Sequence, residues 1–149
     1  MTDPQSPKLA ILLAKLSKTV FRRAEECLPG INVKDYMALS NLDDRGVPQQ
    51  RLAEGLHMDE NNLVLLLNGL EEAGSIARRR DPDDRRRHIV EITPHGKKVL
   101  ERADRGMAKL EEDLLAGLSA AERATLKQLV VRVLHNQAAS ARQPEAAHP

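Results

Sequence analysis

Arginine fills positions 78, 79, 80, 85, 86 and 87, and the only acidic residues among them are Asp81, Asp83 and Asp84. Guanidinium is planar, always charged and weakly hydrated, so such a cluster suits phosphate or the focused negative potential of a narrow nucleic-acid groove. Little other chemistry competes with it. The five histidines (57, 88, 95, 135, 148) lie on separate stretches, and no nucleophile motif, phosphate-cradling glycine loop or metal-ligand pair accompanies them. His88 and His95 with Asp84 are the one arrangement that could take a metal, but a lone strand histidine is far more often structural. An enzyme, a cofactor and a metal site are therefore not expected.

Charged residues make up 30% of the 149 positions, yet the formal net charge is only +1. The segment from Arg78 to His88 carries +3, which leaves −2 for everything else, so an anionic partner must be met by this local charge. Aromatics are 1% of the chain, Phe21 and Tyr36, too few to stack the bases of single-stranded nucleic acid. Double-stranded DNA remains the partner to consider. With 41% hydrophobic residues the chain can bury one modest, aliphatic core. One cysteine, Cys27, excludes an internal disulfide framework, the start MTDPQSPK lacks a secretory pattern, and no apolar run is long enough to span a bilayer. A cytoplasmic location without a membrane partner is expected.

The elements that would position the arginines follow from periodicity and punctuation. Residues 1–7 are expected to be flexible. Leu9, Leu12, Leu13, Leu16, Val20, Ala24 and Cys27 recur at helical spacing up to Pro29 and Gly30. Asn32 suits the cap of a second helix with Tyr36, Leu39 and Leu42 inward, and Pro48 the opening of a third over Gln49–Leu56. Asp59 suits the cap of a fourth, which holds Leu63, Leu66, Leu67 and Leu70 and ends at Gly74. The third and fourth form a helix-turn-helix. Asp81 and Pro82 suit the first two positions of a type I turn joining two strands, the second alternating as His88, Val90, Ile92 against Arg87, Ile89, Glu91. Thr93 and Pro94 open a helix to Ala116, and Ser119 with Glu122 form a capping box for the last, whose apolar face is Leu126, Leu129, Val130, Val133 and Leu134.

The predicted class is mainly α with a small β-ribbon: a winged helix-turn-helix lobe at 31–93, flanked by a dimerisation helix at 8–30 and dimerisation helices at 94–137, with a flexible tail at 138–149. The first and last helices carry wide aliphatic faces that the compact middle does not use, and pairing with a second copy about a twofold would bury both.

LAEGL in the third helix, LEEAGSI leading into the ribbon and the wing DPDDRRRHIVEITPHG resemble the MarR family of bacterial transcription regulators, over roughly residues 8–136. That resemblance implies a homodimer held by its terminal helices, recognition helices in two adjacent major grooves and wing tips in the flanking minor grooves. It also implies release from DNA by a small, often aromatic or phenolic, effector bound between the lobes, or oxidant sensing through cysteine. Arg86 matches the arginine that enters the minor groove and Asp84 the aspartate that helps hold it, with Arg85 and Arg87 as phosphate or groove neighbours. Tyr36 lies where relatives often line the effector pocket, though core packing with a satisfied hydroxyl is an equal reading of it.

One element departs from the family. Between Leu52 and Gly74 there is no Lys or Arg, where relatives commonly place Ser, Thr and Arg. Asn61, Asn62, Leu65 and Asn68 are the candidate base readers, asparagine pairing with adenine N6 and N7 and leucine touching a thymine methyl, which favours A·T-rich duplex. Phosphate contacts then fall to the wing, Arg51 and Lys34. Two bland readings stand beside these: a solvated, salt-bridged turn for the wing, and plain caps for the asparagines. The whole-chain alternative is a dimeric winged-helix scaffold that binds ligand or protein with weak or no sequence-specific DNA binding. For Cys27, at the end of the first helix, packing is the reading, since reactivity needs a lowered pKa and access. The regulated genes, the operator and the effector are not encoded in any motif.

Overall fold

The structure, a computed structural model, describes residues 6–141. Within them the elements run α1 (Leu9–Cys27), α2 (Val33–Ser40), β1 (Val47–Pro48), α3 (Gln49–Leu56), α4 (Glu60–Glu72), β2 (Ile76–Arg80), β3 (His88–Ile92), α5 (Pro94–Leu114) and α6 (Ala120–Ala141). The segments expected to be flexible, 1–7 and 138–149, fall largely outside the described residues, but Ala138 to Ala141 continue α6 and so correct the expected end of that helix at 137. The chain divides near the end of α5, between Leu110 and Glu111, into two compact units.

In the first unit the helix starts are set by the residues that cap them. Asn32 and Asp35 form a reciprocal box, with Asp35 N–H donating to Asn32 Oδ1 at 2.8 Å. Asp59 Oδ1 accepts from the Asn62 N–H at 2.8 Å and starts α4. At the other end of α4 the chain reverses through Gly74, whose φ of +77° is open to glycine at little steric cost, and the Ser75 N–H returns to the Leu70 carbonyl at 2.9 Å. Thr93 Oγ1 donates to the Gly74 carbonyl at 2.6 Å and accepts from the Gly96 N–H at 3.0 Å, so one hydroxyl joins the end of α4 to the start of α5.

The sheet corrects the sequence reading. It has three strands in the order β1-β3-β2, all antiparallel, because Val47 and Pro48 pair with Val90 and Ile89. Pro48 is therefore both the residue before α3 and part of an edge strand too short to show a period. With a neighbour on each side β3 is central, and Ile89 and Val90 are both buried instead of alternating between core and solvent. Ile89 lies against Gly46, where a Cβ would collide with its side chain.

The main core gathers Ala38 and Leu39 from α2, Leu52, Ala53 and Leu56 from α3, Leu63, Leu67 and Leu70 from α4, and Ile76 and Val90 from the sheet. A second cluster joins Ala24 and Leu28 to Val33, Ala103 and Leu110. This corrects the view that the first helix has no place in the compact middle. The last turns of α1 pack on α2 and α5, closely enough that a Cβ on Gly106 would strike the Cys27 carbonyl. Cys27 is half-buried there, against that cluster. The earlier turns of α1 carry Leu9, Ile11, Leu12, Leu13 and Leu16 exposed.

The second unit is the end of α5 with α6. The break between them is held by the predicted box: Glu122 N–H donates to Ser119 Oγ at 3.2 Å and Ser119 N–H to Glu122 Oε1 at 2.9 Å. The Ser119 bonds hold the Glu122 carboxyl below its ordinary range. Along α6, Leu129, Val130, Val131, Val133 and Leu134 are exposed. No helix among the described residues is long and apolar enough to cross a membrane.

Leu67 is fully buried and Leu65, on the same helix, is 70% exposed. Leu67→Ala should lower unfolding stability by about 2–5 kcal/mol, from lost transfer energy and the cavity left behind. Leu65→Ala should change it by less than about 0.5 kcal/mol. Urea titration of the two variants checks this, and similar costs for both would show the core to be misplaced.

Candidate nucleic-acid interface

Residues 81–87 join β2 to β3, and Asp81 N–H closes the loop on the Arg87 carbonyl at 2.9 Å. The hydrogen-bonded turn inside it is Asp84 to Arg87, where Arg87 N–H meets the Asp84 carbonyl at 2.9 Å, and not a turn led by Asp81 and Pro82 as expected. The Asp81 carboxylate is instead taken up by the Asp83 N–H at 2.9 Å, leaving the reversal to Asp84. Arg85 and Arg86 thus occupy the two corners of the tip. Asp84 Oδ1 accepts the Arg86 N–H at 3.1 Å, so the aspartate holds the backbone of the tip and not a guanidinium. Arg85, Arg86 and Arg87 are exposed, and among the described residues none of their guanidinium groups has an ion-pair partner.

The other arginines of the ribbon behave differently. Arg79 Nε pairs with Glu91 Oε1 across the strands at 2.6 Å. Arg80 Nη1 reaches the Arg85 carbonyl at 3.2 Å. Arg78 shares its strand face with buried Ile76 and turns onto α4, where it bonds Glu71 through Nε (3.1 Å) and Nη2 (3.2 Å) and Asn68 Oδ1 through Nη2 (2.6 Å). The Arg78 bond holds the Glu71 carboxyl below its ordinary range. Part of the local +3 is therefore neutralised, and the unpaired positive charge lies at the tip.

On α4, Asn61, Val64, Leu65 and Asn68 follow helical spacing along one exposed face. Asn62 lies at the edge of that face, toward a groove that Leu65 also borders. Its Nδ2 donates to Asp59 Oδ2 at 2.6 Å. Of the four expected readers the structure thus aligns Asn61, Leu65 and Asn68, with Val64 joining them. Arg51 is exposed on α3, whereas Lys34, expected at phosphate, borders the same groove as Asn62.

That groove, of about 880 Å³, lies between α1, α2 and α4, with Phe21, Met37, Leu65 and Leu66 as apolar walls and the side chains of Lys34 and His57 as polar ones. Tyr36 does not line it. The ring packs with the second cluster, and its hydroxyl donates to Asp104 Oδ1 on α5 at 2.7 Å. The reading of Tyr36 as a core residue with a satisfied hydroxyl fits this position. Arg78 is what sequence reasoning missed. Its signal was the period of two from Ile76, which puts Arg78 on the helix side of the strand. No group of three or more His, Cys, Asp or Glu able to hold a metal occurs among the described residues.

The sign of the Glu71 effect is open to test. A carboxyl whose folded pKa is lowered stabilises the fold above its unfolded pKa, and the effect is lost as pH falls through the folded value. Wild type should exceed Glu71→Gln in stability at neutral pH, with the gap closing below the ordinary carboxylate value of 4.5. Urea midpoints across pH would show it, and a gap that widened in acid would contradict the pairing.

Comparison with known proteins places this arrangement. A MarR family model matches residues 30–87, the span from the end of the α1–α2 connection through the wing tip. The chain is 30% identical over 109 residues to the transcriptional regulator HosA of Escherichia coli, across 72% of this chain and 81% of that protein. It is 39% identical over 88 residues to a regulatory protein for the hcr operon of Thauera aromatica, 59% of this chain but only 53% of that longer relative. Among solved structures, a cysteine-to-serine variant of MarR from Escherichia coli complexed with operator DNA is similar, with TM-score 0.75 and 25% identity, covering 85% of this chain and 93% of that one. The chain belongs to the MarR family of winged-helix transcription regulators.

Proposed function

We propose that the chain is a cytoplasmic, homodimeric DNA-binding regulator, a repressor and not an enzyme, that holds a pseudo-palindromic duplex and releases it when a small aromatic or phenolic effector binds. The observation that carries this reading is the exposed arginine tip at 85–87, without an ion-pair partner among the described residues, standing on the same unit as the exposed face of α4 that carries Asn61, Val64, Leu65 and Asn68. A guanidinium tip suits the minor groove, and a helix face of amides and aliphatics suits the edges of major-groove bases. Exposed aliphatic residues on α1 and, separately, on α6 support pairing with a second copy. Twofold-related helices would then address half-sites about 10 base pairs apart. Repression follows if the dimer occupies sequence that a polymerase needs. The groove beside α4 supports the effector, because a ligand seated against Leu65 and Leu66 would bear on the helix that reads DNA.

Fluorescence anisotropy with random and A·T-rich duplexes tests the reading. Affinity should fall steeply with salt, since each arginine that neutralises a phosphate releases a condensed counterion. Arg86→Ala should weaken binding by at least about tenfold, within the scale of a lost charged contact, and by more than Asn62→Ala. No binding to either duplex at low salt would leave the scaffold without DNA binding as the function. Gly69 borders the groove with open space around its Cβ position. Gly69→Leu should therefore keep the fold and DNA binding but block effector release, and unchanged release would place the effector elsewhere.

A further inference from the structure

The bonds of Arg78 change what Asn68 can read. A guanidinium has only donors, so the Asn68 atom 2.6 Å from Arg78 Nη2 is the carbonyl oxygen, and the amide orientation follows from chemistry. Arg78 cannot easily swing clear, because two further contacts fork it onto Glu71 at 3.1 and 3.2 Å and its side chain is only 20% exposed. Asn68 is exposed, and its Nδ2 bonds to no other group among the described residues.

Pairing with adenine uses both ends of an asparagine: Oδ1 accepts from N6 while Nδ2 donates to N7. Here one of the two Oδ1 lone pairs is taken by a short, charge-assisted bond, and an adenine amino group could reach the other only beside the Arg78 cation, donor against donor. Guanine offers two acceptors, O6 and N7, to the remaining N–H groups. We infer that Arg78 is a specificity-determining residue: by placing a cation on the Asn68 carbonyl it leaves Asn68 reading chiefly through its N–H groups, which selects guanine and disfavours adenine at the base pair it faces. The inference rests on the DNA-binding reading above and alters the expectation that all the helix asparagines favour A·T. Part of the selection is repulsive, built against the wrong base as well as toward the right one.

In vitro selection of duplexes by the full chain, wild type beside Asn68→Ala, Arg78→Ala and Arg78→Met, tests it. Asn68→Ala should erase preference at one position per half-site and so identify the pair, where wild type should carry guanine. Alanine has no donor for the Asn68 carbonyl, so Arg78→Ala should shift that position toward adenine by at least about fivefold, the lower end of a bidentate contact. Arg78→Met, which keeps an unbranched stem but no donor, repeats the test if the alanine variant loses its helical circular dichroism. Adenine in the wild-type site, or Arg78 variants that weaken all duplexes equally without shifting that position, would overturn the assignment alone. A wild-type chain that enriches no sequence would remove the DNA-reading function and this assignment with it.

Discussion

One guanidinium joins the two parts of the candidate interface. Arg78 belongs to β2, yet its bonds end on Glu71 and Asn68 of α4, so the ribbon and the helix are tied by side chains as well as by the short connection through Gly74 and Ser75. The tip at 85–87 lies at the far end of the same strands. Its distance from the exposed face of α4 is therefore set by a strand register and a three-bond clamp, and not by a loose loop. Thr93 extends the tie, because its hydroxyl holds the end of α4 to the start of α5.

Much of the fold was legible because it is written in local rules. Asn32, Asp59, Thr93 and Ser119 sit at the helix starts that their side chains cap, and the limits of α3 and the heptad-like leucines of α4 follow from period alone. What escaped depends on contacts between distant residues. Strand β1 is two residues long, and nothing near Val47 announces that it pairs with Val90. The double burial of Ile89 and Val90 follows from that pairing. Period alone gives the first helix one continuous apolar face, although its end at Ala24 and Leu28 packs internally while Leu9 to Leu16 and Phe21 carry the exposed apolar surface.

The site divides along the same line. Its cationic tip was visible as composition, since Arg85, Arg86 and Arg87 are adjacent and any turn there exposes them. Which charges remain available was not, because that depends on Glu91 crossing to Arg79 and Glu71 to Arg78. Asn62 and Lys34 were given roles from residue type, and their neighbours, Asp59 and the groove, give them other surroundings. An amide or ammonium is legible as a donor from sequence, but the direction in which it donates is a property of the fold.

The two bonds that Asp84 makes within the tip have a consequence for how tightly a partner could be gripped. Its side chain holds the Arg86 amide and its carbonyl the Arg87 amide, so the backbone of the turn has already lost its freedom before anything is bound. Fixing the backbone of one mobile residue costs about 1–2 kcal/mol of entropy. Here that entropy is surrendered during folding, and only the guanidinium stems of Arg85 and Arg86 still have to settle when they meet an anion. An acidic residue inside a cationic finger, which composition alone counts as lost charge, thus acts as a mould for the positive tip.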